Sequence, residues 1–252
     1  MLTNERHRRI LARVQEDGAV AVADLAAELG ASEATLRRDL ADLDAQGLLR
    51  RVHGGARRAE LRGLEQPFGA RAGSNPDGKR RIGQAAAALL APGEAVVLDS
   101  GTTAVEVAHA MRELSVRVVP LSLPAMTVLA EGARVRVTAP GGELRPGEHS
   151  FTGPLTQRTL SGLRFDTAVI SPCALSLEGG ATAYDTDDAA VKQAAMASAE
   201  RRILLCDATK WGRSAFAAIA DLSSFDILVT DHQPTPEESA LLEESRVDVV
   251  IA

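Results

Sequence analysis

The residues with the clearest chemical potential sit where a short apolar run ends: Val96-Val97-Leu98 passes into Asp99-Ser100-Gly101-Thr102-Thr103. A strand leading into a helix at this point exposes unpaired backbone N–H groups beside three hydroxyls. Gly101 lets the main chain approach a ligand, and the positive end of the helix favours an anion. The set suits a phosphate, although a plain Ser/Thr helix cap accounts for the hydroxyls equally well. The spacing of a Walker loop is missing.

Two more loops follow strand-like runs. Pro140-Gly141-Gly142-Glu143-Leu144 carries paired glycines that either admit a ligand or make an ordinary turn. Lys192, behind Asp187-Asp188, and Lys210, after Cys206-Asp207-Ala208-Thr209, offer ammonium groups to a phosphate or sugar hydroxyl. The competing reading is that each is a solvated surface lysine.

A second concentration of chemistry lies near the start of the chain. Ser32 is a good helix N-cap, and Leu36, Leu40 and Leu43 then fall on one face, so Ala34, Thr35 and Arg38 point away from it with Arg37 at their flank. That outward set suits a DNA major groove: Arg forks onto guanine O6 and N7, while Ser32 and Thr35 reach phosphates from the helix start. Leu48-Leu49-Arg50-Arg51-Val52-His53-Gly54-Gly55 reads as a short basic strand and a glycine turn. Arg50, Arg51 and His53 thereby join the candidate DNA contacts. By themselves, the arginines also fit the solvated face of a small helical bundle.

These side chains need elements to hold them. Ile10, Leu11 and Val14 mark a first helix and Val22, Leu25, Ala26 and Leu29 a second, broken apart by Asp17-Gly18. Gly30 ends the second, and Gln46-Gly47 closes the third. From Arg57 to Gly78 the chain is rich in Gly, Arg, Pro and Asn without a sustained apolar period, which reads as a linker with room for a short helical piece. Beyond it, runs of Val, Ile and Leu at 95–99, 116–121, 134–138, 166–170, 202–206, 226–230 and 247–251 alternate with helical stretches near 79–91, 103–113, 123–131, 153–162, 188–200 and 236–244. Such alternation predicts an α/β domain with a largely parallel sheet. The expected division is a DNA-binding domain over 1–58, a linker over 59–78 and a ligand-binding, oligomerising domain over 79–252.

Composition narrows the classes. In 252 residues, 45% hydrophobic and 25% charged content is ordinary for a globular chain, and 3% aromatic leaves little for a stacked-ring site. No stretch approaches the ~20 apolar residues of a membrane span, and no leader pattern follows Met1, so a cytoplasmic location is expected. Cys173 and Cys206 make neither a disulfide scaffold nor a four-thiolate zinc site and read as two half-buried thiols. No metal, cofactor or catalytic residue is assigned. The net charge of −6 hides an asymmetry: residues 1–58 hold ten Arg against nine Asp and Glu, while the rest holds 18 cations against 25 carboxylates. If DNA is bound, the N-terminal end binds it.

The run Arg6-x3-Ile10-x3-Val14, seventeen residues, then Ser32-x2-Thr35-Leu36-Arg37-Arg38-Asp39-Leu40 resembles the signature of the DeoR family of bacterial transcriptional regulators. Arg51-Val52-His53-Gly54-Gly55-Ala56 resembles its wing, and the resemblance implies an N-terminal winged helix-turn-helix. Asp39 is expected to orient an arginine, since a carboxylate facing phosphates is repelled. Asp99–Thr103, Gly141-Gly142, the Lys192 helix and Asp207–Gly212 resemble the family's effector domain, an α/β fold similar to ribose-5-phosphate isomerases and CoA transferases. By that resemblance Asp99 holds sugar hydroxyls, Ser100 to Thr103 the phosphate, and Lys192 and Lys210 complete the site. The chain departs from the family at Pro120-Leu121-Ser122, usually Thr-Asn, and at Ser171-Pro172-Cys173-Ala174, usually Gly-Ala-x-Gly. Both departures are expected to reshape the pocket floor.

The resulting expectation is a repressor of carbohydrate genes that binds duplex operator DNA as a homo-oligomer, dimer or tetramer, and is released by a phosphorylated sugar. One alternative is a DNA-binding regulator whose second domain no longer senses. Another is a sugar-phosphate isomerase, for which Asp99, Asp185, Asp187 and Asp207 are the candidate bases; Ser171–Ala174 supplies none.

Overall fold

The computed structural model describes residues 3–45, 48–52, 54–58 and 65–252. The chain divides into two units, Met1–Leu61 and Arg62–Ala252. His53 and the expected helix end at Gln46-Gly47 lie outside the described residues.

In the first unit, α1 (Thr3–Asp17), α2 (Val22–Leu29) and α3 (Glu33–Ala45) bury Ile10, Val14, Leu25, Leu29, Leu36, Leu40 and Leu43 in one cluster. Gly30, left-handed at φ 61°, ends α2 and lets α3 start three residues later. Three short strands complete the unit: β1 (Ala19–Ala21), β2 (Leu49–Val52) and β3 (Gly55–Arg58), antiparallel in the order β1-β3-β2. The sequence pattern shows β2 alone, because three residues are too few for alternation to identify β1. Gly55 is required by this sheet: a Cβ there would sit 2.1 Å from the Val20 carbonyl oxygen. A winged helix-turn-helix results.

In the second unit α4 (Phe68–Gly73) and α5 (Pro76–Ala88) precede β4 (Ala95–Leu98), α6 (Thr102–Met111), β5 (Arg117–Pro120), α7 (Leu123–Ala130) and β6 (Arg136–Val137). A hairpin of β7 (Glu143–Leu144) and β8 (Phe151–Thr152) leads to α8 (Pro154–Ser161) and β9 (Phe165–Ile170). Then come β10 (Ala174–Ser176), β11 (Gly180–Ala183), α9 (Thr186–Ala197), β12 (Ala199–Cys206), β13 (Ala217–Ala220), β14 (Ile227–Thr230), α10 (Pro236–Glu244) and β15 (Asp248–Ile251). The seven predicted apolar runs form one parallel sheet in the order β15-β14-β12-β9-β4-β5-β6. Alternate strand residues face two cores. Val96, Leu98, Val169 and Ile203 pack under α5, α6 and α7, while Val97, Ala168, Ile170 and Leu204 pack under α8, α9 and α10. A second sheet, β10-β11-β13, is antiparallel and was not foreseen.

The stretch 65–78, read from composition as linker, instead carries α4 and the start of α5 within the second unit. Gly78 is spent on packing, since a Cβ there would collide with Asp231, and the adjoining Lys79 is buried, donating to the Arg71 carbonyl at 2.7 Å and to that of Ser74.

The strand order reverses between β4 and β9. From β4 the chain winds outward through β5 and β6, then returns to β9 on the other side of β4. In open parallel sheets a ligand crevice forms beyond the carboxyl ends of the strands at such a switch point.

Candidate functional site

On α3, Ser32 Oγ accepts from Thr35 N at 3.2 Å and lies 2.9 Å from Thr35 Oγ1, fixing the helix start. Arg37 and Arg38 are exposed opposite the buried leucines; Arg37 pairs with Glu33 at 2.6 Å, and Arg38 has no ion pair among the described residues. Asp39 faces inward instead. It takes a bidentate fork from Arg6, at 2.5 and 2.9 Å, and a contact from His7 at 3.1 Å. The Arg6 hydrogen bonds hold its carboxyl below the usual range. Arg50 and Arg51 are exposed on β2. Arg57, across from Arg50 in the strand register, was missed by sequence reading; burial, then the Arg50 charge, holds its pKa below the ordinary value. Strand alternation was the signal that would have found it.

In the second unit a cavity of about 10 Å³ lies at the switch point. Ser100 and Gly101 line it from β4, Ser171, Pro172 and Cys173 from β9, Asp188 and Lys192 from α9, and Lys210 from the turn after β12. Glu65, Arg71, Arg145, Glu148 and Ser150 close the other side. Of these last five, none was named from sequence. They belong to stretches whose Gly, Pro and charge content reads as loop or linker, and ion pairs between positions 80 apart leave no local pattern.

Asp99 does not face the cavity. Its carboxylate accepts from Ser100 N at 2.7 Å, Ser171 N at 2.8 Å and Lys192 Nζ at 2.7 Å to each oxygen. With every lone pair engaged, it anchors Lys192 rather than a sugar hydroxyl. Asp188 stands 3.4 Å from the same ammonium. Burial pushes Asp99 up against the pull of Lys192. Burial pulls Lys192 down too, but the charges of Asp188 and Asp99 outweigh it and hold the lysine above its ordinary range. Four hydrogen bonds from three donors on one carboxylate decide for the ion pair.

Other sequence candidates are also redirected. Thr103 is wholly buried, and Thr102 turns to a second pocket beside Phe68, Lys79 and Glu106. The two threonine hydroxyls have no partner among the described residues. Gly141 and Gly142 (φ 71° and 104°) make their close approach to the protein itself: a Cβ on Gly142 would meet Thr156 Oγ1 at 2.0 Å, and Thr156 donates to the Gly141 carbonyl at 2.8 Å. Lys210 does reach the cavity, donating to the Pro172 carbonyl at 2.8 Å and Ser171 Oγ at 3.3 Å. Ser171–Cys173 thus lines the cavity as its departure from the family suggests, whereas Ser122 caps α7 elsewhere.

The upper side is an ion-pair network. Glu65 accepts from Arg145 at 2.7 Å and lies 3.5 Å from Arg71; Arg71 also pairs with Glu148, and Arg145 lies 3.6 Å from Asp185. Phe68 backs the Arg71 guanidinium, 5.8 Å from ring centroid to carbon. Burial pulls Arg145 down, but the charge and hydrogen bond of Glu65 raise it overall; burial raises Glu148 against the pull of Arg71. Cys173 is pushed up to about 11 by burial, and Cys206 is fully buried rather than half-buried and likewise raised. The four suggested bases point elsewhere: Asp185 caps α9, Asp207 caps the turn before Lys210, Asp187 is exposed, and Asp99 is saturated.

Comparison with known proteins agrees with this two-unit arrangement. The DeoR-like helix-turn-helix domain matches residues 6–61, and the DeoR C terminal sensor domain matches 74–232. The HTH-type transcriptional regulator GlpR of Haloferax volcanii is 33% identical over 250 residues, covering 99% of this chain and 98% of that protein. The glycerol-3-phosphate regulon repressor of Escherichia coli is 29% identical, with 93% of each chain covered. A ribose 5-phosphate isomerase A from Methanocaldococcus jannaschii overlaps 55% of each chain at 16% identity and a TM-score of 0.42, too slight to add to the sheet order itself. The fold and the two charged surfaces define a winged-helix regulator with an α/β sensor. The chain belongs to the DeoR family and is a DNA-binding transcriptional regulator, not an enzyme. Among the described residues no helix is long and apolar enough to cross a membrane.

Proposed function

We propose that this chain represses carbohydrate-utilisation genes, holding duplex operator DNA with Thr35, Arg37, Arg38, Arg50 and Arg51 and letting go when a phosphorylated sugar enters the second unit. The observation that carries this reading is the cavity at the switch point, where Arg71, Arg145, Lys192 and Lys210 converge beside the Ser100-Gly101 helix start. Four cations in one crevice at a helix start suit a small polyanion. The name of the E. coli relative, a glycerol-3-phosphate regulon repressor, agrees with that chemistry. The same reading makes the DNA-binding and sensing units separable near residue 60, places the protein in the cytoplasm and pairs copies so that two recognition helices meet an inverted repeat.

The test is fluorescence anisotropy on a DNA fragment selected by the purified chain from a random pool, titrated with a panel of sugar phosphates. Release by one or more of them, and by none of the matching unphosphorylated sugars, is expected. Retention of DNA at millimolar concentrations of every compound would leave the second reading, a regulator with a non-sensing second unit, which the small volume of the cavity favours.

A further inference from the structure

The cavity contains an anion of its own. We propose that the Glu65 carboxylate occupies the position of the effector's phosphate, and that binding proceeds by exchange: the phosphate takes Arg145 and Arg71, and Glu65 leaves. This deepens the sugar-phosphate reading and rests on it.

Glu65 Oε2 accepts from Arg145 Nη2 at 2.7 Å, while Oε1 lies 3.5 Å from Arg71 Nη2 and 3.7 Å from Cys173 Sγ. One carboxylate, 12% exposed, thus engages both guanidinium groups and a thiol that burial keeps protonated. The ammonium groups below are committed otherwise, Lys192 to Asp99 and Asp188, Lys210 to the Pro172 carbonyl and Ser171. An entering anion therefore finds its strongest fork-shaped donors already on a carboxylate, and a guanidinium accepts phosphate in the same bidentate geometry.

Space argues the same way. About 10 Å³ holds roughly one water, so a phosphate needs a group to withdraw. Withdrawal of Glu65 opens a place on two guanidinium groups at once, leaving Arg71 with Glu148 and Arg145 with the 3.6 Å contact to Asp185, whereas among the described residues Glu148 pairs with Arg71 alone and Asp188 with Lys192 alone. The departing residue is also well placed in the chain, four positions after Leu61, the last residue of the first unit. Exchange at Arg145 thereby acts on the second unit's described residue nearest in sequence to the boundary between the units. It gives the ligand the differential affinity for two states that allosteric release requires.

The test compares the full-length wild type with Glu65→Gln and Arg145→Gln by calorimetric titration of fructose 1-phosphate, glucose 6-phosphate, glycerol 3-phosphate and inorganic phosphate. If the Glu65-occupied form holds about nine molecules in ten, removing its charge tightens binding about tenfold. The expected result is that gain in E65Q and loss of binding in R145Q; binding by E65Q alone supports the exchange equally. Wild-type binding that E65Q leaves unchanged or weakens overturns the exchange while the sugar-phosphate reading stands. Absence of binding in both proteins overturns both. Should E65Q not fold, hydrogen exchange on the wild type decides. Faster exchange of residues 65–68 under the best-binding compound supports the proposal, and unchanged or slower exchange overturns it.

Discussion

On α3 and β2, Arg38, Arg50 and Arg51 stand exposed with no ion pair among the described residues, whereas in the cavity Arg71, Arg145 and Lys192 are each held by at least one carboxylate. In the proposed reading both surfaces serve anions, but the anions differ. A DNA duplex brings many phosphates and keeps them largely hydrated, so exposed cations meet it at little desolvation cost and strong salt dependence. A small effector brings one or two charges into a crevice, where an unpaired cation would be expensive to maintain beforehand. In the exchange proposed above, pre-pairing removes that cost.

The largest effect separating the two regions is on stability. Lys192→Met leaves Asp99 and Asp188 buried without their cation, and should cost about 3–5 kcal/mol, lowering the melting temperature of the second unit by roughly 10 °C. Arg38→Ala should leave both units' melting unchanged in the same calorimetric scan. Comparable losses would break the contrast between committed and open cations.

That contrast was only half visible in the chain. The seven parallel strands were legible because Val, Ile and Leu runs buried on both faces leave an unmistakable pattern. The β10-β11-β13 sheet was not, since its strands are dominated by alanine, with Thr182 and Ile219 alone supplying β-branched bulk to announce a strand. The exposed α3 face was readable because helical phase alone separates Arg38 from Leu36 and Leu40. Lys192 and Asp99 were each noticed, but their mutual saturation depends on α9 crossing the end of β4, which no spacing encodes. Glu65 and Arg71 were lost in a segment whose composition mimics a linker.

Asp39 is an exception on the DNA-binding unit, a committed pair rather than an open charge. Its pKa is depressed, so its stabilisation is complete above the ordinary carboxylate value near 4 and fades as pH falls through the lower folded value. Acid titration of an isolated fragment of residues 1–61 should show that loss, and Asp39→Asn should remove it while costing about 1.5–3 kcal/mol at neutral pH. An unchanged acid midpoint in the variant would mean that the Arg6 fork is not what Asp39 contributes.

Among the open cations, division of labour is the next test. Arg38→Ala should cost about 1–3 kcal/mol on selected operator and less on random DNA if it forks to a guanine. Arg51→Ala should weaken both and reduce the salt slope by about one. Identical losses on both DNAs for both variants would erase the distinction. The smallest effect concerns Cys173, whose thiol is pushed up to about 11 by burial. Its alkylation should rise about tenfold for each pH unit between neutrality and that value, and a plateau near pH 8 would place the thiol in open solvent.

Asp99 does one thing beyond holding a lysine. By accepting from Ser171 N while continuing directly from β4, it staples the two strand ends that border the switch point. That staple opposes splaying of those strands, which directs accommodation to the segments above, around residues 65–71 and 145–150. Mechanical stiffness below and compliance above divide the evolutionary task as well. If the cavity is the effector site proposed above, substitutions in those upper segments retune which effector is recognised without disturbing the sheet, whereas a change at Asp99 would loosen the foundation on which every such adaptation stands.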